Sequence, residues 1–292
     1  MPELPEVETI VRDLQKKIIK KQIVKIQVHL PKIIKGSIQK FISTLQNNKF
    51  IKVQRRAKFL IFTLASGQLV LIHLRMTGQL IYQAESNKEI LGKLVAGGHG
   101  QKKDLINLPN KHTHLIINFI DGCQLFYNDL RQFGFIQLIK SEQLNHELRN
   151  FGQEPLESRF TLAVFQKMFS NRKGNIKAFL LNQKYVVGLG NIYVDEVLFS
   201  AKVLPSRKIN SLSNTEIKNI YFGIKNILRR AVKYRGTTFN DYRDASGKRG
   251  NFLSKLKVYS RTGQKCLRCK QGIIQKQKIA GRGTSYCSHC QS

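Results

Sequence analysis

Two cysteine pairs near the end of the chain carry the most specific chemistry in the sequence. Cys266-x2-Cys269 and Cys287-x2-Cys290 are separated by the 17 residues 270–286. This is the spacing of a four-thiolate zinc site with each pair on a tight knuckle; the alternative is chance pairing of reduced thiols. Four thiolates complete a tetrahedron and leave no open position for substrate. The expected Zn2+ is therefore a single structural ion that stiffens a hairpin too small for a core of its own. His289, between two ligands, is expected to face solvent, and Cys123 reads as a small core residue. Between the pairs, Gly281-Arg282-Gly283 would offer an arginine at a hairpin tip to a groove or a phosphate. Residues 229–270 hold thirteen Lys/Arg against Asp241 and Asp244, a density that favours phosphate binding over a solvated basic face.

A second candidate for chemistry is the start, Met1-Pro2-Glu3-Leu4-Pro5-Glu6. Removal of the initiator, expected before the small Pro2, leaves a proline with a free secondary amine. Such an amine, once deprotonated, can attack a sugar C1′ and form a Schiff base, with Glu3 and Glu6 near enough to move protons. The same residues also suit the first turn of an ordinary helix, by geometry and by dipole. A third candidate is Gly188-Leu189-Gly190-Asn191. Its glycines permit close backbone approach, Asn191 suits a helix N-cap, and amides at a helix start can hold a phosphate. Glycine pairs before a helix usually just make a turn, so the motif alone is a weak signal.

The elements that would position these residues follow from periodicity. Val7, Ile10, Val11, Leu14 and Ile18 predict a helix over 5–20. Short apolar or alternating runs at Ile23–Leu30, Phe50–Arg55, Phe59–Leu64, Leu69–Leu74, Leu115–Phe119, Gln124–Tyr127 and Phe135–Ile139 predict antiparallel strands. Residues 85–111 read as a polar, Gly-rich insertion. Helical patterns follow at 141–150, 160–170, 176–183, 192–200 and 213–234. Gly236–Asn251 reads as a mobile basic loop, and Leu253–Tyr259 and Gly272–Tyr286 as short strands. The expected class is α+β, with an N-terminal antiparallel β-sandwich domain over 1–140, a helical domain over 141–235, and a loop and zinc region over 236–292.

Fifty Lys plus Arg against eighteen Asp plus Glu leave a net charge of +32, which calls for a polyanionic partner, most commonly nucleic acid. A membrane surface is the other polyanion, but no long apolar run or basic amphipathic helix supports it. The acidic N-terminus does not fit a signal peptide, and the clustered cysteines do not fit a disulfide framework. A soluble, cytoplasmic, monomeric protein is expected.

Together these segments resemble the formamidopyrimidine-DNA glycosylase family. The resemblance rests on Pro2-Glu3-Leu4-Pro5-Glu6-Val7-Glu8-Thr9, Arg56-Ala57-Lys58-Phe59-Leu60, His73-Leu74-Arg75-Met76-Thr77-Gly78, Lys111-His112-Thr113-His114, Gly188-Leu189-Gly190-Asn191-Ile192-Tyr193 and the zinc hairpin with Gly281-Arg282-Gly283-Thr284. These span nearly the whole chain in order. Leu4 favours this family over its sister, the endonuclease VIII group, which prefers oxidised pyrimidines. The implied fold is a β-sandwich joined to a helix–two-turn–helix domain with a zinc hairpin, with damaged duplex DNA between the domains.

By the same resemblance Pro2 is the nucleophile, Glu3 protonates the opening sugar, Glu6 supports, and Lys58 holds phosphate beside the lesion. His73, Arg75, Lys177, Asn191 and Arg282 fall among the DNA contacts. Met76, Arg131 and Phe133 fill the gap left by the flipped base, as an apolar wedge, a planar cation and an aromatic can. The implied reaction releases 8-oxoguanine or formamidopyrimidines through a Schiff base and then eliminates the 3′ and 5′ phosphates, without catalytic metal or redox cofactor. Two departures stand out. Asp129-Leu130-Arg131-Gln132-Phe133-Gly134 has Gln132 where the family usually has a second arginine, and Phe151-Gly152-Gln153-Glu154-Pro155-Leu156 also differs from the usual pattern. A DNA-binding zinc protein that has lost the chemistry is the rival from another class; intact Pro2, Glu3, Glu6 and Lys58 argue against it.

Overall fold

The computed structural model describes residues 1–85, 94–96, 108–237 and 251–292. Most of the 85–111 insertion and of the Gly236–Asn251 loop therefore lie outside the described residues. The chain forms two compact units, Met1–Arg149 with Arg235–Asn251, and Asn150–Tyr234 with Phe252–Ser292.

The first unit opens with helix α1, Leu4–Ile18. Its expected stripe of Val7, Ile10, Val11, Leu14 and Ile18 is buried in a core shared with both sheets of a sandwich. One sheet has the order β1 (Ile23–Val28), β8 (Thr113–Phe119), β9 (Gln124–Asp129), β6 (Gly78–Gln83), β7 (Leu94–Ala96). The other runs β2 (Ile34–Lys35), β10 (Phe135–Ile139), β5 (Leu69–His73), β4 (Phe59–Leu64), β3 (Phe50–Arg56). All pairings are antiparallel except β2 with β10. Side chains alternate across each strand, so Phe62, Val70, Leu80, Leu125 and Tyr127 meet between the layers. A helix at Ile38–Leu45, absent from the sequence reading, is capped by Ser37, whose Oγ accepts from the Lys40 N–H at 3.2 Å.

The second unit contains helices Leu162–Lys167, Ile176–Leu181, Asn191–Ala201 and Asn214–Lys233, and a hairpin of β11 (Ile274–Ile279) and β12 (Arg282–Cys287). The expected strand at Leu253–Tyr259 is not formed. Leu253–Lys255 is a single 3-10 turn, and the backbone N–H groups of Lys257, Val258 and Tyr259 donate to the buried carboxylate of Glu196 at 2.9–3.0 Å. A carboxylate, rather than a neighbouring strand, satisfies that backbone.

Candidate functional site

Pro2 and Glu3 are buried at the head of α1. Glu6, one turn in, uses both carboxylate oxygens. Oε2 accepts from the Glu3 N–H at 2.9 Å, and Oε1 accepts from the Thr237 N–H at 2.7 Å and its hydroxyl at 3.1 Å. Gly236 lets the Thr237 segment approach, since its φ is +80° and a Cβ there would stand 2.6 Å from Glu6 Oε1. The amino group of the chain, here on Met1, is held below its ordinary pKa. Burial is the main cause. Glu3 and Glu6 oppose the shift, while Lys58 and Arg131 add to it. Four residues expected at one site thus act electrostatically on one amine.

Lys58 reaches that position because Ala57 and Lys58 form the two-residue turn of the β3–β4 hairpin, with Ala57 at φ +55°. The buried lysine also bears on His73 at the end of β5. The His73 ring packs edge-on to Phe59 and stacks on Phe135. Burial first, then the charges of Arg75, Lys58 and Lys35, lower its pKa to about 3. His73 is therefore neutral, and its Nδ1 accepts from the Arg75 N–H at 3.0 Å, which puts the proton on Nε2. The turn between β5 and β6 exposes Arg75 and half-exposes Met76. It closes through the Gly78 N–H on the Leu74 carbonyl at 2.9 Å, where a Cβ on Gly78 would come within 2.5 Å of that oxygen.

Arg131 and Phe133 stand exposed on the next turn, the guanidinium 4.7 Å from the ring centre. The sequence reading did not single out the residue that builds this turn, Asp129. Fully buried, it takes the Thr77 hydroxyl and the Arg131 N–H on Oδ1 and the Gly134 N–H on Oδ2, the last at 2.8 Å. The Thr77 hydroxyl also accepts from the Arg131 N–H at 3.0 Å. The Met76 turn and the Phe133 turn therefore share one carboxylate. An Asp five residues before a glycine, with an arginine between, was the available signal.

In the second unit the helix begins at Asn191, not after it. Gly190 occupies the cap, and the Asn191 side chain donates instead to the Gly283 carbonyl at 2.8 Å. Lys177, expected among the DNA contacts, is fully buried; its ammonium donates to Asp195 at 2.6 Å and to the Thr284 hydroxyl at 2.7 Å. Asp195 also takes the Ser285 N–H at 2.8 Å. Arg282, two residues before Thr284, is exposed at the start of β12. Asp195 and Glu196 were missed, and Thr284 was read only as part of the hairpin motif, because nothing in one dimension pairs them with their partners.

The four cysteine Sγ atoms lie within 4.8 Å of one another. Cys266–Cys290 and Cys269–Cys287 are 3.7 and 3.8 Å apart, and a tetrahedron with Zn–S bonds of ~2.3 Å has edges of about 3.8 Å. The donor set therefore fits zinc. Gly272 is required beside it, since a Cβ there would stand 2.6 Å from Cys287 Sγ. His289 is exposed, as expected.

Family models agree with this architecture in chain order. They are the formamidopyrimidine-DNA glycosylase N-terminal domain over residues 1–136, the formamidopyrimidine-DNA glycosylase H2TH domain over 151–243, and the zinc finger found in FPG and IleRS over 263–292. The chain belongs to the formamidopyrimidine-DNA glycosylase family. It is 41% identical over 292 residues to the formamidopyrimidine-DNA glycosylase of Carboxydothermus hydrogenoformans, covering 100% of both chains. It is 40% identical over 294 residues to that of Pelotomaculum thermopropionicum, covering 100% of this chain and 99% of the relative. A Lactococcus lactis FPG mutant in complex with Fapy-dG-containing DNA superposes with a TM-score of 0.86 at 36% identity, with full coverage of both chains. As a member of this family the chain is a DNA-repair glycosylase with a zinc finger. Among the described residues, no helix is long and apolar enough to cross a membrane.

Proposed function

We propose that this glycosylase excises oxidised purines, 8-oxoguanine and formamidopyrimidines, and then cuts the strand as a lyase, with Pro2 as nucleophile. The observation that carries the reading is the environment of the N-terminal amine. Burial favours its neutral, nucleophilic form, and Glu3, Glu6, Lys58 and Arg131 all bear on it. Loss of Met1 would move the amine one residue inward, onto the buried Pro2.

The steps need only water as a further reagent, to hydrolyse the final Schiff base and return the free Pro2 amine. The flipped nucleotide presents C1′ to the Pro2 nitrogen; the C1′–Pro2 bond forms as the C1′–base bond breaks, the proton lost by the Pro2 amine leaves with the base, and the sugar ring then opens to the Schiff base with its O4′ taking a proton from Glu3. The resulting Schiff base acidifies the C2′ hydrogen. Loss of that proton expels the 3′ phosphate, and a second elimination expels the 5′ phosphate. Lys58 pairs with the phosphate beside the lesion, and His73 and Arg75 support the same strand. Met76, Arg131 and Phe133 fill the vacated stack. Asn191 and Arg282 contact the backbone from the second unit. Lys177 acts there by holding Thr284 beside Arg282, since its ammonium is committed to Asp195. The enzyme acts as a monomer in the cytoplasm, on duplex DNA.

The test is borohydride trapping on a duplex carrying 8-oxoguanine opposite cytosine. A covalent crosslink is expected from protein lacking Met1, and none from Pro2→Gly or from protein retaining Met1. Absence of a crosslink with Met1 gone and DNA bound overturns the reading; a crosslink only to oxidised pyrimidines moves the substrate to the sister group.

A further inference from the structure

Arg268 sits inside one of the zinc knuckles, between Leu267 and Cys269, and its half-buried side chain is held by protein groups. Its Nε and Nη2 donate to the sulfur of Cys290 at 3.2 and 2.9 Å, and Nη2 also donates to the Cys290 carbonyl at 2.7 Å. Nη1 donates to the carbonyl of Phe199, and the guanidinium lies 4.0 Å from the centre of the Phe199 ring. Phe199 is itself buried in the small apolar cluster that surrounds the cysteines, with Val258, Cys266, Ile274 and Cys287.

A four-thiolate zinc site carries a net charge of −2. A guanidinium that gives two N–H groups to one sulfur offsets part of that charge where it is concentrated. The planar fork reaches Cys290 while its face covers an aromatic ring, a combination an ammonium cannot reproduce. The same side chain joins the ligand to the C-terminal turn of the Asn191–Ala201 helix. The helix contributes at three levels spaced four residues apart: Asn191 on Gly283, Asp195 on Ser285, and Phe199 on Arg268. These fall on one face, and each holds a different part of the zinc hairpin.

We infer that Arg268 is an outer-sphere residue of the zinc site, which stabilises the Cys290 thiolate as a ligand and fastens the metal knuckle to the Asn191–Ala201 helix. Partners of this kind orient metal ligands, and their loss typically costs 10–100-fold in metal affinity.

The experiment follows zinc leaving the full-length zinc-loaded protein for the colorimetric chelator 4-(2-pyridylazo)resorcinol. Arg268→Met is expected to release zinc about tenfold faster or more. Arg268→Lys, which keeps the charge but loses the fork, falls between it and the parent. Lys270→Met, which removes one exposed positive charge from the same knuckle, leaves the rate unchanged. Equal rates for Arg268→Met and the parent overturn the inference, as does an equal acceleration by Lys270→Met, which would mean that net charge alone matters. Should Arg268→Met not fold, cobalt-substituted Arg268→Lys decides. Weakened N–H donation to Cys290 raises the sulfur lone pairs, so the thiolate-to-cobalt charge-transfer band moves to longer wavelength; an unmoved band overturns the assignment. Neither readout contains DNA, so neither depends on the glycosylase chemistry proposed above.

Discussion

Lys177 and Asp195 meet at 2.6 Å with both side chains fully buried, and the two N–H and O–H partners around them, Ser285 and Thr284, both belong to β12. Burial raises the Asp195 pKa to about 6 against the pull of Lys177. Removing one partner leaves the other charge buried and alone. Asp195→Leu is therefore expected to lose about 3–5 kcal/mol in urea unfolding, and Lys177→Met with Asp195→Leu to recover most of it. A double variant no more stable than the single one would show that the pair does not behave as a buried couple.

The same pair makes a statement about DNA. With its ammonium held on Asp195, Lys177 is expected to add no phosphate contact of its own. The double variant should keep the salt dependence of abasic-DNA affinity, whereas Arg282→Gln should reduce the slope by about 1. A loss of about one unit in the double variant would mean that Lys177 leaves Asp195 when DNA binds.

The turn that exposes Arg131 and Phe133 depends on a gap at Gly134. A Cβ there would lie 1.9 Å from the Tyr127 hydroxyl. Gly134→Ala is expected to cost about 2–3 kcal/mol from overpacking. Tyr127→Phe in the same chain should return at least ~1 kcal/mol, because it removes the clashing oxygen and the two sites are in contact. Strict additivity of the two changes would argue against this packing.

His73 gives a pH signature. Its folded pKa, about 3, is below the unfolded value of ~6.5. Its contribution to stability is present above about 6.5 and is lost as pH falls towards 3. By pH 5 the loss relative to high pH should reach about 2 kcal/mol, about 1.6 of it below pH 6.5, and His73→Gln should flatten that part of the profile. In nuclear magnetic resonance spectra the His73 ring should show no titration between pH 8 and 5. A midpoint near 6 would contradict the neutral, buried ring.

Removal of the metal should act on the second unit first. Cys269→Ser is expected to lose stoichiometric zinc by atomic absorption and to weaken abasic-DNA binding about tenfold or more in fluorescence anisotropy, because the hairpin that carries Arg282 has no other large core. Full DNA affinity in a zinc-free chain would detach Arg282 from the metal site.

Much of this architecture was readable before any coordinates. The stripe of α1, seven of the sandwich strands and the zinc spacing each repeat a local pattern, and local pattern is what a sequence carries best. The helix at Ile38–Leu45 was also readable, since Ile38, Phe41, Ile42 and Leu45 have helical spacing behind a Ser cap. β6 was hidden by its start at Gly78, in the turn that presents Met76. Leu253–Tyr259 looked like a strand because Leu253, Leu256 and Val258 are apolar, but its backbone partner is Glu196, more than fifty residues away. The same holds for Asp129 and Asp195. Motifs pointed to the residues at the surface of the site, while the buried carboxylates that shape it are recognisable only by what they touch.

The carboxylate of Glu6 has a consequence for the order in which the protein is made. Its partner Thr237 lies 231 residues further along, and Arg235 returns to Asp13 in the same helix. At a ribosomal pace of ~5–20 residues per second, roughly ten to fifty seconds separate the two ends of that clamp. The N-terminal unit, first to emerge, waits for residues 235–251 to be complete, while the chain between them folds a unit of its own. A chain interrupted before Arg235 would carry Pro2, Glu3 and Glu6 with one oxygen of Glu6 deprived of its backbone partner, so the earliest residues synthesised are among the last to be set in place.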